Sequence, residues 1–173
     1  QAEEPLADAV RTALSAAIAS AAPPRLTFTG TAQRLAFLRW QGTMSERLQR
    51  YKTEAHTRLE FLETLWYEAS RAGLEPALVL GLVQVESGFR KYAVSTSGAR
   101  GYMQVMPFWM KLIGTEESNL FHLRTNLRFG CTILRHYIDI ERGNLFRALG
   151  RYNGSLGQAD YPNMVRGAWE RHW

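Results

Sequence analysis

Glu86 closes an otherwise apolar stretch of the chain. Residues 77–83 read Ala-Leu-Val-Leu-Gly-Leu-Val, apolar on every face of a helix, and such a helix belongs inside a core. Pro76 suits the first helical position, where no N–H is needed. Gly88 suits the end. Gln84 and Glu86 therefore fall at the tip of a buried helix. Burial there favours the protonated carboxyl and raises its pKa. A carboxylic acid still protonated near neutral pH can serve as a general acid. Taken by position alone, a Glu at a helix end is more often solvated or salt-bridged than catalytic.

A second chemistry-bearing stretch follows at residues 95–107, STSGARGYMQVMP. Gly98 and Gly101 let the backbone turn tightly or approach a ligand closely. Gln104 offers both donor and acceptor to an amide or hydroxyl. Met103 and Met106 read equally as core filler or as adaptable binding surface.

Three groups in order, Glu86-Ser87, then Ser95-x-x-Gly98-Ala99-x-Gly101-x-Met103-Gln104-x-Met106-Pro107, then Tyr152-Asn153, resemble the soluble lytic transglycosylase (SLT) family. The resemblance covers residues 59–173. It implies an all-α, lysozyme-like fold, cleavage of peptidoglycan glycan strands, and a periplasmic location after export. It makes Glu86 the catalytic acid and Ser95 a contact for the N-acetyl group of the muramic sugar. Gln104 and Met106 would line the sugar cleft. The Tyr152 hydroxyl would orient the acid or stabilise the oxocarbenium-like transition state. Asn153 follows in the same motif, as a sugar contact or as a helix-end residue. Tyr102 stands where the family usually has Leu, which implies altered packing or a sugar-stacking face. Arg151 stands where Ala is usual. These departures bear on subsite preference.

Counting carboxylates leads to the mechanism. Most glycosidases use two. Besides Glu86, the candidates Glu75, Glu116, Glu117, Asp139, Glu141, Asp160 and Glu170 lie in no comparable motif. One acid suffices if the substrate supplies its own nucleophile, which is the route the resemblance implies. Glu86 would protonate the oxygen between N-acetylmuramic acid and N-acetylglucosamine. It would then take the proton of the muramic C6 hydroxyl as that hydroxyl closes onto C1. The product is a 1,6-anhydro sugar. Two readings compete: a lysozyme-type hydrolase, and a catalytically silent glycan-binding scaffold.

The chain of 173 residues is the size of one domain, or of one with an appendage. Its composition, 46% hydrophobic and 21% charged, is that of a folded protein. No run reaches the roughly 18 apolar residues of a membrane span. Asp8 and Arg11 interrupt the first apolar stretch, so no complete signal peptide is read there. Export rests on the resemblance alone. The single Cys131 excludes an internal disulfide, and the four histidines show no ligand spacing. No metal or cofactor is expected. A net charge of +5 and a pI near 9.7 suit a polyanionic partner. Arg34, Arg39, Arg47, Arg50, Lys52 and Arg58 are interleaved with Glu46, Glu54, Glu60 and Glu63. That pattern reads as solvated helix faces, not a phosphate-tracking stripe. Peptidoglycan, with its carboxylates, is the expected partner, nucleic acid is not, and the chain is expected to be a monomer.

These residues need helices to hold them, and apolar spacing supplies the helices. One is expected over 6–21, ended by Pro23-Pro24. A short one over 31–44 is expected to break at Gly42, with Ser45 capping another through 51. The next covers 57–72 and stops at Gly73. Beyond a loop at 115–118, Asn126 and Asn144 are expected to cap two further helices. A final one follows Tyr161-Pro162. No period-two run of β-branched residues appears, so the class is all-α. Residues 1–58 are read as an N-terminal helical extension packed on a catalytic part at 59–173.

Overall fold

Pro76 and Gly88 bracket a helix as their chemistry requires, Gly88 turning left-handed at φ 58° to end it. That helix is α4 in a computed structural model that describes residues 1–19, 26–114 and 118–173. The order is α1 (Asp8–Ala19), α2 (Thr31–Leu48), α3 (Ala55–Arg71), α4 (Pro76–Ser87), α5 (Phe108–Ile113), α6 (Leu123–Ile140), α7 (Leu145–Asn153) and α8 (Asp160–His172). Among the described residues extended pairing is confined to two isolated bridges, Val94 with Arg100 and Arg100 with Val105. The all-α expectation holds. No helix among the described residues is long and apolar enough to cross a membrane.

The interior is organised around α4. Ala77, Leu78, Val79, Leu80, Gly81, Leu82 and Val83 are all buried, and α8 and α3 pack on it. Gly81 sets the approach of α8: a Cβ there would lie 2.9 Å from the Trp169 backbone nitrogen. α6 lies across α3 and α7. A buried ion pair joins α3 to α6, with Arg128 Nε and Nη2 donating to the two Glu68 oxygens at 3.1 Å each. Such a two-pronged pair compensates the desolvation of both charges through its geometry.

Two expectations at the N-terminal side need correction. Gly42 does not break a helix, and Ser45 does not cap one; α2 runs unbroken from Thr31 to Leu48. A helical glycine costs only about 1 kcal/mol relative to Ala. Phe37, Met44 and Leu48 are buried on both sides of Gly42 and hold the helix together. Ser45 Oγ instead accepts from Arg58 Nε at 3.1 Å. The real cap in this region is Glu54, whose carboxylate accepts the His56 and Thr57 N–H groups at the start of α3. α1 spans Asp8–Ala19 and packs on α5 and α6. The expected breaker Pro23-Pro24, and Thr115, Glu116 and Glu117 of the expected loop, lie outside the described residues.

The C-terminal side follows the sequence more closely. Asn144 caps α7, accepting from the Arg147 N–H at 3.1 Å. Asn126 does not cap α6, which begins at Leu123; it sits fully buried within the helix. Tyr161 falls inside the first turn of α8 rather than ahead of it.

Candidate active site

The acid is placed by the end of α4. Ser87 Oγ bonds back to the Val83 carbonyl at 3.1 Å and across to the Tyr102 carbonyl at 2.8 Å. These bonds fix the last helical turn against the loop that follows. Glu86 is pushed up to about 7 by burial, while the Tyr161 hydroxyl pulls it back down. A carboxyl that is half protonated near pH 7 can both give and take a proton.

The loop opposite is a tight, self-bonded unit. Arg100 and Val105 exchange two backbone hydrogen bonds, each 3.0 Å. Gly101 at φ 75° and Gln104 at φ 51° make the turn between them. Asn126 staples this turn from α6: its Oδ1 accepts the Met103 N–H at 2.8 Å, and its Nδ2 donates to the Arg100 and Leu120 carbonyls at 2.9 and 2.7 Å. Gly101 and Gly130 allow the close fit. A Cβ on Gly101 would meet Asn126 Nδ2 at 2.5 Å, and one on Gly130 would meet the Met103 sulfur at 2.3 Å. From α7, Tyr152 donates its hydroxyl to the Met103 carbonyl at 2.7 Å. Tyr152 is fully buried. Its phenol is held well above the ordinary value by burial first and by the charge of Glu86 second.

Beside Glu86 the loop presents a main-chain acceptor and donor that together hold a carboxamide. The Gln1 side chain donates to the Gln104 carbonyl at 3.1 Å and accepts from the Met106 N–H at 3.0 Å. The Gln1 carboxamide shows that this pair can accept an amide N–H and donate to an amide oxygen at once.

The residues singled out in the sequence are deployed unevenly. Glu86 and Tyr152 bear on each other's charge, and the Gln104 carbonyl and Met106 N–H share the Gln1 side chain. The Gln104 side chain does not face the cleft: its Nε2 donates to the Ala93 and Gly101 carbonyls and shapes the loop. Ser95 Oγ accepts the Ala99 N–H at 3.0 Å. Tyr102 is 3% exposed, its ring against Phe61 and beneath the Lys52 ammonium. It presents no face for a sugar to stack on. Asn153 ends α7 and donates to Ser155 Oγ at 2.8 Å, closing the turn at Gly154. Cys131 is buried, and burial pushes its thiol far above the reactive range.

Two participants were missed from sequence. Asn126 was read as a cap because Asn at a helix start usually is one; a polar residue amid buried Leu127, Phe129 and Gly130 was the available signal. Tyr161 carried none beyond its hydroxyl. That hydroxyl is buried and interacts with the Glu86 carboxyl from α8, pulling its pKa down. Among the described residues, no three His, Cys, Asp or Glu side chains are grouped to hold a metal ion. Of the other candidate carboxylates, Glu141 pairs with Arg147 and Arg151, Asp139 with Arg135, and Glu170 with Arg166. Glu116 and Glu117 lie outside the described residues.

Residues 64–166, more than half of the chain, match the family model described as the transglycosylase SLT domain. The chain belongs to that family. Among its relatives is a transglycosylase of Enterobacteria phage PRD1, 34% identical over 60% of this chain and 38% of the phage protein. A membrane-bound lytic murein transglycosylase C of Haemophilus influenzae is 31% identical over 57% of this chain and 32% of its own length. A solved structure of an inactive mutant of the lytic transglycosylase Slt from Pseudomonas aeruginosa aligns with 81% of this chain and 24% of that one, at 24% identity and a TM-score of 0.49. The chain thus spans less than two fifths of the length of these relatives.

Proposed function

We propose that this chain is a peptidoglycan lytic transglycosylase in which Glu86 is the single general acid and base. The observation that carries the reading is a carboxyl raised to about 7 beside a backbone pair fit for an acetamido group. A glycan strand seated by an N-acetyl group at the Gln104 carbonyl and Met106 N–H would place a glycosidic oxygen near Glu86. Protonation of that oxygen breaks the C1–O bond and leaves Glu86 ionised. The carboxylate then takes the proton of the muramic C6 hydroxyl as its oxygen bonds to C1. The acid is thereby restored and a 1,6-anhydro end is formed. Because the nucleophile belongs to the substrate, orientation alone can contribute about 7–11 kcal/mol. Tyr152 supports this by fixing the Met103 carbonyl, and Tyr161 by bearing on the carboxyl from α8.

The substrate class fits the relatives named murein transglycosylases, and those named membrane-bound support a place in the bacterial envelope. The Ser95 hydroxyl and the stapled loop around it form the rim of the sugar site in this reading. The test is solubilisation of purified peptidoglycan by the wild-type chain and by Glu86→Gln. Loss of a general acid costs about 10²–10⁴-fold, so the variant should fall by at least that factor. Retention of wild-type turnover would remove Glu86 from the mechanism.

A further inference from the structure

The first residues of the chain lie in the cleft that the glycan would need. Gln1 holds both members of the backbone amide pair. Its backbone also lies against Gly154 at the end of α7, where a Cβ would be 3.2 Å from the Gln1 nitrogen. From there the segment runs outward past Glu4, which pairs with Arg151 at 3.5 Å, and Leu6, which is partly buried against the core. We propose that residues 1–6 form an autoinhibitory strap that occupies the acetamide subsite and is displaced when a glycan strand binds. This rests on the reading of the cleft as a glycan site.

The manner of attachment argues for a removable piece. α1, which carries the strap, contributes no buried residue. It is anchored mainly at its far end, where Arg71 and Arg128 donate to the Ala17 and Ile18 carbonyls, and by Arg11 donating to the Leu112 carbonyl at 2.9 Å. The Glu4–Arg151 pair is half exposed on the Glu4 side, and pairs of that kind hold weakly. Beneath the strap, a cavity of about 170 Å³ is lined by Leu6, Trp109 and His136. Trp109 Nε1 and His136 Nε2 are buried without partners. Few buried contacts are the physical signature of a segment that opens locally. Arg151 keeps a second partner, since its Nε also donates to Glu141 at 2.8 Å. Release of Glu4 therefore strands no charge.

A strap of this kind acts as an intramolecular competitor. It divides the apparent affinity by the fraction of molecules that are open and leaves the chemistry untouched. The experiment measures rate against concentration of soluble glycan strands for three chains: the full chain, one lacking residues 1–6, and Glu4→Lys. If the strap is seated about nine-tenths of the time, its removal lowers KM about ten-fold with kcat unchanged. Glu4→Lys, which keeps the whole segment and guards against misfolding of the shortened chain, lowers KM about two- to five-fold. A KM unchanged or raised in both variants overturns the strap while leaving the enzyme reading intact. Turnover by none of the three chains overturns the glycan reading and the inhibition with it.

Discussion

A carboxyl whose pKa rises on folding makes the folded state pay for ionisation, and Glu86 gives this a measurable sign. Its pKa rises from 4.5 to about 7. Below pH 4.5 both folded and unfolded chains hold the proton, and Glu86 costs nothing. Between pH 4.5 and 7 the unfolded chain ionises while the folded one resists, so stability falls as pH rises. Above pH 7 the accumulated cost is about 3 kcal/mol. Glu86→Gln should therefore melt higher than wild type at pH 8 and at the same temperature near pH 4. Equal melting temperatures at both values would mean that the site is not strained by burial. Tyr161→Phe probes the same residue differently. The Tyr161 hydroxyl holds the Glu86 pKa down, so its loss should move the alkaline limb of the kcat–pH profile to higher pH. A profile that stays put would leave Tyr161 a packing residue. At this scale the placement of Glu86 at the tip of a buried helix was legible, because the residues before it are apolar on every face. What Gln104 does was not: its side chain serves the loop, and its main-chain carbonyl holds the Gln1 side chain. A letter code displays side chains and hides carbonyls.

Helices and the loop carry these residues, and two contacts decide whether they meet. Gly81 lets α8 approach α4, and any Cβ would strike the Trp169 backbone. Gly81→Ala should destabilise the protein by about 1–3 kcal/mol. It should also lower kcat, because α8 carries Tyr161 and α4 carries Glu86. Denaturant melts and initial rates would show it; an Ala variant of wild-type stability would mean that α8 sits further out. Asn126 offers the second case. It answers two backbone groups of the loop, and the Leu120 carbonyl besides, from inside α6. Asn126→Ala should cost about 1–3 kcal/mol and raise KM more than it lowers kcat, since the Met106 and Gln104 backbone would lose its brace. The helices themselves were read well where caps and apolar spacing agree, as at Pro76, Gly88 and Asn144. The reading failed at Gly42, where local propensity pointed one way and buried Phe37, Met44 and Leu48 held the other. Asn126 was misplaced for a related reason: its partners lie up to 26 residues away, beyond any local pattern.

Across the whole molecule the site draws on four separated pieces of chain: the end of α4, the loop before α5, α7 and the start of α8. The ion pair between Glu68 and Arg128 keeps α3 and α6 in register beneath them. That α1 would fold back so that Gln1 reaches Met106, 105 residues away, was invisible in sequence, since nothing local marks a segment for a remote cleft. The central claim about this assembly is that one carboxyl and the substrate's own hydroxyl suffice for glycan cleavage. Mass spectrometry of the soluble products from purified peptidoglycan, with Glu86→Gln as control, tests it most directly. The account predicts products one water lighter than the reducing-end fragments, absent from the control. Reducing-end products that depend on Glu86 would contradict it, because water and a second carboxylate would then be required.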